Sequence, residues 1–522
     1  MKYTNAKGRI LAGMTNGMAL MVFCAGAAWA QTPTPTQMTV GQDGASITAE
    51  ANPFLDDSKA GFMFRTATFK RFSPGADPVS YVNSSGGVSE ANAYRTFNNQ
   101  AAGIGGWLYG NTGELANFLS FAGTINFTLP LWAPEGGTTP NGYVNSYNYI
   151  LRDPKQEGYA VIGEANARLR YENNVAVLGW QSINYAWYLP DVYRFYNKLD
   201  QAMVGRRDVR AMQPLTYLAA TVGGKAMDDT VRYFGGYVAD MKQINDTRFR
   251  NMYQAAYQTT CWSDAPTPCT KQGDSNGMTY AGIQWKPNND SMYQAQFYNV
   301  QNMLNMGYVD GDWVFRMGER RYFRFGAQWM YQGSSGDSLT TGSNGSKGYD
   351  FNTNYGGIYL EGRPADWFIP YGMAGLTSNG GQIQAPYSIG PSYLVQRIGE
   401  NSRAGERTWI LGTIFDFSTL GVQGLSFDVN YGQRSNRKID ANNPNGGGQS
   451  LADWNELATE FVYLFPKGGW FENLRARARY AKVWLDGPQW VAYNGAGGNV
   501  FQDVNTTQQD VRFDLQFVVP FK

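Results

Sequence analysis

Three arginines stand at alternate positions near the C-terminus: Arg475, Arg477 and Arg479, separated by Ala476 and Ala478. In an extended chain, side chains two residues apart share a face, roughly 6.5–7 Å from one another. The spacing therefore lines up three planar, permanently charged forks, each able to grip a carboxylate through two N–H donors. Arg168 and Arg170 alternate in the same way, as do Arg320 and Arg324 in a wider stretch. Arg206, Arg207 and Arg210 follow an aromatic-rich segment, about 182–212, that also carries Asp191 and Tyr193. Acids stand against these cations. Asp416 and Asp428 flank the 419–424 turn, roughly opposite each other, and counting across Pro466-Lys467-Gly468-Gly469 places Glu460 opposite Arg477. Such a set can hold anions against a basic row, with the acids as an electrostatic counter-wall. The same residues read equally as ion pairs that brace a wall, each arginine alone more so than the row of three. Paired carboxylates can also do acid–base chemistry, which the expected neighbouring cations disfavour here.

Several chemistries are excluded by composition. The chain has no histidine, which removes Ser-His and Cys-His catalysis, histidine bases and histidine-ligated metals. No cofactor motif is found, and Gly342-Ser343-Asn344-Gly345-Ser346-Lys347 lacks P-loop spacing. Asp310-Gly311-Asp312 reads as a hairpin turn between 304–309 and 313–317 rather than a calcium loop.

The elements that must position the arginines have a period of two. In 164–171, Glu164, Asn166, Arg168 and Arg170 oppose Ala165, Ala167, Leu169 and Tyr171; in 320–331, Arg320, Tyr322, Arg324 and Gln328 oppose Phe323, Phe325, Trp329 and Tyr331. Each segment is a strand with one wet and one apolar face. Charges on a lipid-facing surface would cost about 2–4 kcal/mol each at mid-membrane, so the wet faces must look into a lumen. Long polar connections (72–93, 133–157, 240–276, 333–352, 377–407, 435–452) alternate with tight turns, as in an outer-membrane barrel. The composition agrees: 522 residues, 15% aromatic, only 16% charged, and a mean hydropathy of −0.42. Trp285, Trp329, Trp409, Trp484 and Tyr359 read as outward girdle residues. A propeller would show a repeat of about 40–50 residues, and none is found.

Residues 1–30 read as a signal peptide, with Lys2, Lys7 and Arg9 before an apolar run and Ala28-Trp29-Ala30 at its end. Its removal leaves 40 basic against 42 acidic residues, a balance that argues against nucleic-acid binding. Residues 31–55 form a short periplasmic segment and 56–522 the barrel. Cys261 and Cys269 lie in one exported loop, which predicts a local disulfide. The alternating C-terminal strand, with Phe513, Leu515, Phe517, Val519 and Phe521 on one face, fits recognition by the barrel-assembly machinery.

Several stretches together resemble the OprD-type outer-membrane porins. They are Asp57-Ser58 leading through Phe62 and Phe64 to Arg65; Arg210-Ala211-Met212-Gln213-Pro214; Gly390-Pro391-Ser392-Tyr393-Leu394-Val395; Gly405-Glu406-Arg407-Thr408-Trp409; Leu420-Gly421-Val422-Gln423-Gly424-Leu425-Ser426-Phe427; and Asn473 through Arg479. The resemblance implies an all-β antiparallel transmembrane barrel of 18 strands with a loop folded into the lumen. It also implies passive diffusion of small, carboxylate-bearing solutes past a basic ladder. The segment 181–215 is longer than that family's usual constriction loop. Expected partners are small solutes and outer-membrane lipid, with a homotrimer an open alternative to a monomer. Alternatives are a non-transport structural or adhesion barrel and an outer-membrane hydrolase.

Overall fold

The computed structural model describes residues 57–72, 79–82, 88–91, 98–133, 150–151, 157–183, 215–243, 246–252, 277–340, 347–384, 394–399, 403–444, 447–469, 471–492 and 499–521. The signal peptide, the segment 31–55, the loop with Asp191, Tyr193, Arg206, Arg207 and Arg210, and the Cys261–Cys269 pair lie outside them.

Eighteen strands form the wall: β1 (Lys59–Phe72), β2 (Asn98–Asn111), β3 (Leu119–Trp132), β4 (Tyr159–Tyr171), β5 (Asn174–Gln181) and β6 (Thr216–Ala226); then β7 (Val231–Lys242), β8 (Met278–Asn288), β9 (Ser291–Val300), β10 (Leu304–Arg316), β11 (Tyr322–Ser334) and β12 (Asn352–Gly362); then β13 (Phe368–Thr377), β14 (Arg407–Asp416), β15 (Leu425–Ser435), β16 (Asp453–Leu464), β17 (Leu474–Ala492) and β18 (Asn499–Pro520). Each pairs antiparallel with its neighbours in sequence, and β18 returns to β1 from Gly61↔Pro520 to Phe72↔Gln509. The ring is closed, so its wall leaves no strand edge, as a lipid-embedded sheet requires. A small hairpin, Val79–Val82 with Val88–Ala91, lies outside the ring.

The distribution of side chains is inverted relative to a soluble protein. Arg324 and Arg434 are among the most deeply buried side chains, whereas Leu131, Leu411 and Phe315 are about 60% exposed (61%, 60% and 58%). Outward positions form an apolar belt facing lipid, and inward positions carry the charges. Among the described residues no helix is long and apolar enough to cross a membrane; these strands do the crossing. Inside, one face of the lumen from β6 to β14 is a buried cluster of tyrosine, methionine and aliphatic residues, including Tyr217, Met278, Tyr298, Met330, Tyr355 and Ile410.

Two local expectations are corrected. Asp310-Gly311-Asp312 is not a turn; β10 runs straight through it, with Asp310↔Gln328 and Asp312↔Gly326 in register. Both carboxylates point into the lumen, where Asp312 meets Arg324. A turn signature in water is thus compatible with mid-strand position where the strand faces a polar interior. The real reversals are at 301–303 and 317–321. Tyr359 is not a girdle residue. It is fully buried and faces inward, donating its hydroxyl proton to Glu361 beneath the Arg324 guanidinium. Trp285, Trp329 and Trp409 do sit on the outside, at 48%, 46% and 39% exposure.

Candidate functional site

The basic row forms as its spacing predicts and is wider than expected. Arg475, Arg477 and Arg479 share the inner face of β17. The register sets Arg475 beside Gln516, Arg477 beside Asp514 and Arg479 beside Arg512. One strand further, Gln516 faces Arg65, Arg512 faces Phe69 and Asp510 faces Arg71. The result is a lattice over three adjacent strands, extending about 20 Å along them.

Carboxylates are nested within it. Asp514 accepts a hydrogen bond from Arg477 Nε at 2.6 Å, and lies 3.5 Å from Arg475 Nη2, 3.5 Å from Arg479 Nη2 and 3.7 Å from Arg65 Nη2. Asp510 takes both prongs of Arg512, at 2.6 and 2.8 Å, and is also bonded by Arg71. The aromatic ring of Phe69 lies under two guanidinium groups, 4.7 Å from Arg512 and 5.5 Å from Arg71. Arg479 and Arg512 are directly opposed like charges, an arrangement that destabilises unless acids intervene. Here the acids are Glu460, 3.0 Å from Arg479, and Asp510.

Glu460 stands opposite Arg479, not opposite Arg477. The connection 465–473 is longer than the four-residue turn assumed from sequence, which moves the register by two residues and keeps the side chain on the same face. Asp416 and Asp428 are likewise offset: Asp428 pairs with Ile414, while Asp416 pairs with Ser426. Asp416 is tied to Arg363 at 3.0 Å and caps the 3-10 turn Phe417–Leu420 through the Ser418 N–H. It braces the tight-turn end of the barrel. Asp428 faces the lumen and accepts from the Tyr371 hydroxyl at 2.8 Å and from Asn430 at 3.1 Å.

A connection other than the expected one reaches this wall. The segment 394–399, between β13 and β14, lies across the inner faces of β13 to β16. Glu456 accepts three successive backbone N–H groups there, from Arg397 (2.7 Å), Ile398 (2.9 Å) and Gly399 (2.8 Å). Arg434 donates to the carbonyls of Leu394 and Gly399 and to Gln396. Gly375 and Gly432 make room: a Cβ there would lie 2.6 Å from the Leu394 side chain or 2.7 Å from that of Gln396. The segment presents Arg397 to Glu460 at 3.0 Å and to Asp428 at 3.4 Å.

The remaining predicted cations are dispersed. Arg168 faces inward on β4 and donates to Asn166 at 3.1 Å. Arg170 pairs with Glu114 near the tight-turn end, half exposed. Arg320 is not on the wall: it lies in the 317–321 turn, 63% exposed and 3.9 Å from Asp366. Arg324 is fully buried, gripped by both oxygens of Asp312 and lying over Tyr359. Arg65, Arg71, Arg397, Arg512, Asp510 and Asp514 were missed by sequence reading. For β18 the signal is present in the sequence, since Asp510, Arg512 and Asp514 alternate with Val511 and Phe513.

Counting this wall, Arg65, Arg71, Arg397, Arg475, Arg477, Arg479 and Arg512 face Asp428, Glu460, Asp510 and Asp514. Seven cations against four anions leave a formal +3 among the described residues. Nine strands away around the ring, β8 and β9 present neutral groups: Met278, Tyr280, Gln284, Gln294, Gln296 and Tyr298. No cluster of residues suited to holding a metal occurs among the described residues.

No family profile matches the sequence, and no curated protein matches it significantly. Solved structures do match. OpdK of Pseudomonas aeruginosa, crystallised with vanillate, superposes with a TM-score of 0.62 at 17% identity, covering 89% of this chain and 100% of that one. OccK8 (OprE) of the same organism gives 0.62 at 16% identity over 90% and 99%, and OpdO gives 0.59 at 15% over 90% and 98%. The likeness is one of fold: a closed, 18-stranded barrel of the outer-membrane porin type.

Proposed function

We propose that the protein is an outer-membrane porin for small anionic solutes, with the lattice on β17, β18 and β1 as its selectivity wall. The observation that carries this reading is the formal +3 on one side of the lumen, facing tyrosine, methionine and amide groups on the other. Fixed guanidinium groups attract and orient a carboxylate, while their nested acids keep each contact weak enough for release, as flux requires. A solute joining a carboxylate to an aromatic ring suits both walls. Vanillate, the aromatic carboxylate crystallised with OpdK, is a compound of that kind. The outer belt contacts lipid, and the alternating C-terminal strand serves as the signal for barrel assembly.

The test is the reversal potential in planar bilayers under a salt gradient. Replacing Arg475, Arg477 and Arg479 with glutamine should move it toward cation preference, and no movement would defeat the assignment. One observation favours a second reading. Arg477 and Arg479 are only 3% and 7% exposed, as expected for ion pairs stitching a structural barrel that transports nothing. Liposome swelling separates the two, since a closed barrel gives no solute flux.

A further inference from the structure

We propose that Arg397 is a specificity-determining residue that masks the acidic end of the selectivity wall, and that Glu456 is the positioning residue that keeps it there. The inference rests on the channel reading given above and adds a cation that comes from a connection rather than a strand.

Asp428 and Glu460 are cross-strand neighbours on β15 and β16, in direct register and both nearly inaccessible, at 3% and 1% exposure. Like charges in that position repel. Burial without a cation would be costly for both. The cation they share is Arg397, whose Nη2 lies 3.0 Å from Glu460 and 3.4 Å from Asp428. No strand periodicity puts it there. Its backbone is held by Glu456, whose two oxygens accept three N–H groups in succession. Glu456 thus does for 394–399 what a capping residue does for a helix start, using charge-assisted hydrogen bonds of the strong class. Gln396 completes the attachment, donating to Asn430 at 3.0 Å and to the Glu456 carbonyl at 3.1 Å. With Arg397 seated, the wall from Asp428 to Arg71 presents a net positive face. Without it, Asp428 and Glu460 present two carboxylates beside Arg479.

The experiment compares reversal potentials of the full-length protein in planar bilayers, with potassium chloride as the probe and heat-modified gel migration as the folding control. Arg397→Gln should lower the chloride-over-potassium permeability ratio about two- to fivefold. Adding Asp428→Asn and Glu460→Gln to that variant should bring the ratio back to the wild-type value or above it, because the acids no longer need masking. Glu456→Gln should shift the ratio in the same direction as Arg397→Gln, and adding it to Arg397→Gln should produce no further shift. A merely structural role for Glu456 would change migration and leave this non-additivity absent. If Arg397→Gln does not fold, Asp428→Asn/Glu460→Gln in the wild-type background carries the test and should raise the ratio. An unchanged ratio in either folded variant, alongside a shifted one for the β17 arginines, overturns the proposal and leaves the channel reading standing. Unchanged ratios in the β17 variants as well would bring down the channel reading itself.

Discussion

Two walls of this lumen bury arginine, and they differ in local charge. On β10 to β12, Arg324 lies between Asp312 and Glu361, and the tyrosine hydroxyls of Tyr322 and Tyr359 donate to Glu361. One cation meets two anions, and the tyrosines close the group off. On β17, β18 and β1 the ratio is reversed, and single carboxylates are shared among several guanidinium groups. The sequence signal is of the same kind in both places, arginine on the wet face of an alternating strand: Arg324 alone on β11, three in a row on β17. An inward arginine is therefore no sign of a filter by itself. What separates the brace from the proposed filter is the sum of charges its neighbours in other strands supply.

Substitutions can break or sharpen this contrast. The largest effect is expected at the brace. Asp312→Asn leaves Arg324 buried with half its compensation, and should destabilise the barrel by about 3–5 kcal/mol. Urea unfolding in detergent micelles would show this, with the reversal potential unmoved; a stable variant with altered selectivity would exchange the roles of the two walls. The triple glutamine variant of Arg475, Arg477 and Arg479 should do the opposite. It should change anion preference by roughly tenfold, equivalent to about 1.4 kcal/mol, and its bilayer recordings should change more than its unfolding midpoint.

A smaller effect is expected at the long-loop end, where Asp440 joins three connections. It accepts from the Tyr349 hydroxyl at 3.0 Å and the Gln382 backbone N–H at 2.7 Å, and Asn442 donates to the Asp350 carbonyl. Burial pushes the Asp440 carboxyl above the usual carboxylate range. A carboxyl raised on folding contributes stability that is fully present below its unfolded pKa and lost as pH rises through the folded one. Asp350, held low by hydrogen bonds from Ser338 and Ser334, acts in the other sense, losing its contribution as pH falls. Asp440→Asn removes the first contribution alone. Hydrogen-exchange protection of 378–384 and 436–444 should then fall less than in the wild type as pH rises above the ordinary carboxylate pKa of about 4, a difference under about 1 kcal/mol. An identical pH profile in the variant would remove Asp440 from the account. The smallest effect is none: ion selectivity should stay flat from about pH 6 to 8, because the wall relies on arginine and the chain lacks histidine. A steep change in that window would move the filter from arginines to carboxylates.

Much of the architecture was legible because a strand writes its two faces into alternate residues. The barrel, its outward tryptophans and the β17 arginines follow from that period, while the count of 18 strands came from the family resemblance. What was hidden depends on partners distant in sequence. Asp312 looks like a turn residue until Arg324 is set beside it. Glu460 needed the true length of 465–473 to find its partner. Arg397 belongs to no periodic segment, and its role exists only because Glu456, some sixty residues later, holds its backbone. Tyr359 reads as girdle by composition and is placed inside by the register of β12.

The closure between β1 and β18 has a consequence in time. The first and last strands of the wall meet there, and Arg65 with Asp514 and Arg71 with Asp510 cross that seam, the latter pair 439 residues apart in sequence. The proposed selectivity wall is thus assembled from the two ends of the chain. Its β17–β18 contacts lie within one neighbouring strand pair, but the lattice is complete only when the cylinder is shut, and the ion pairs that complete it also fasten the seam.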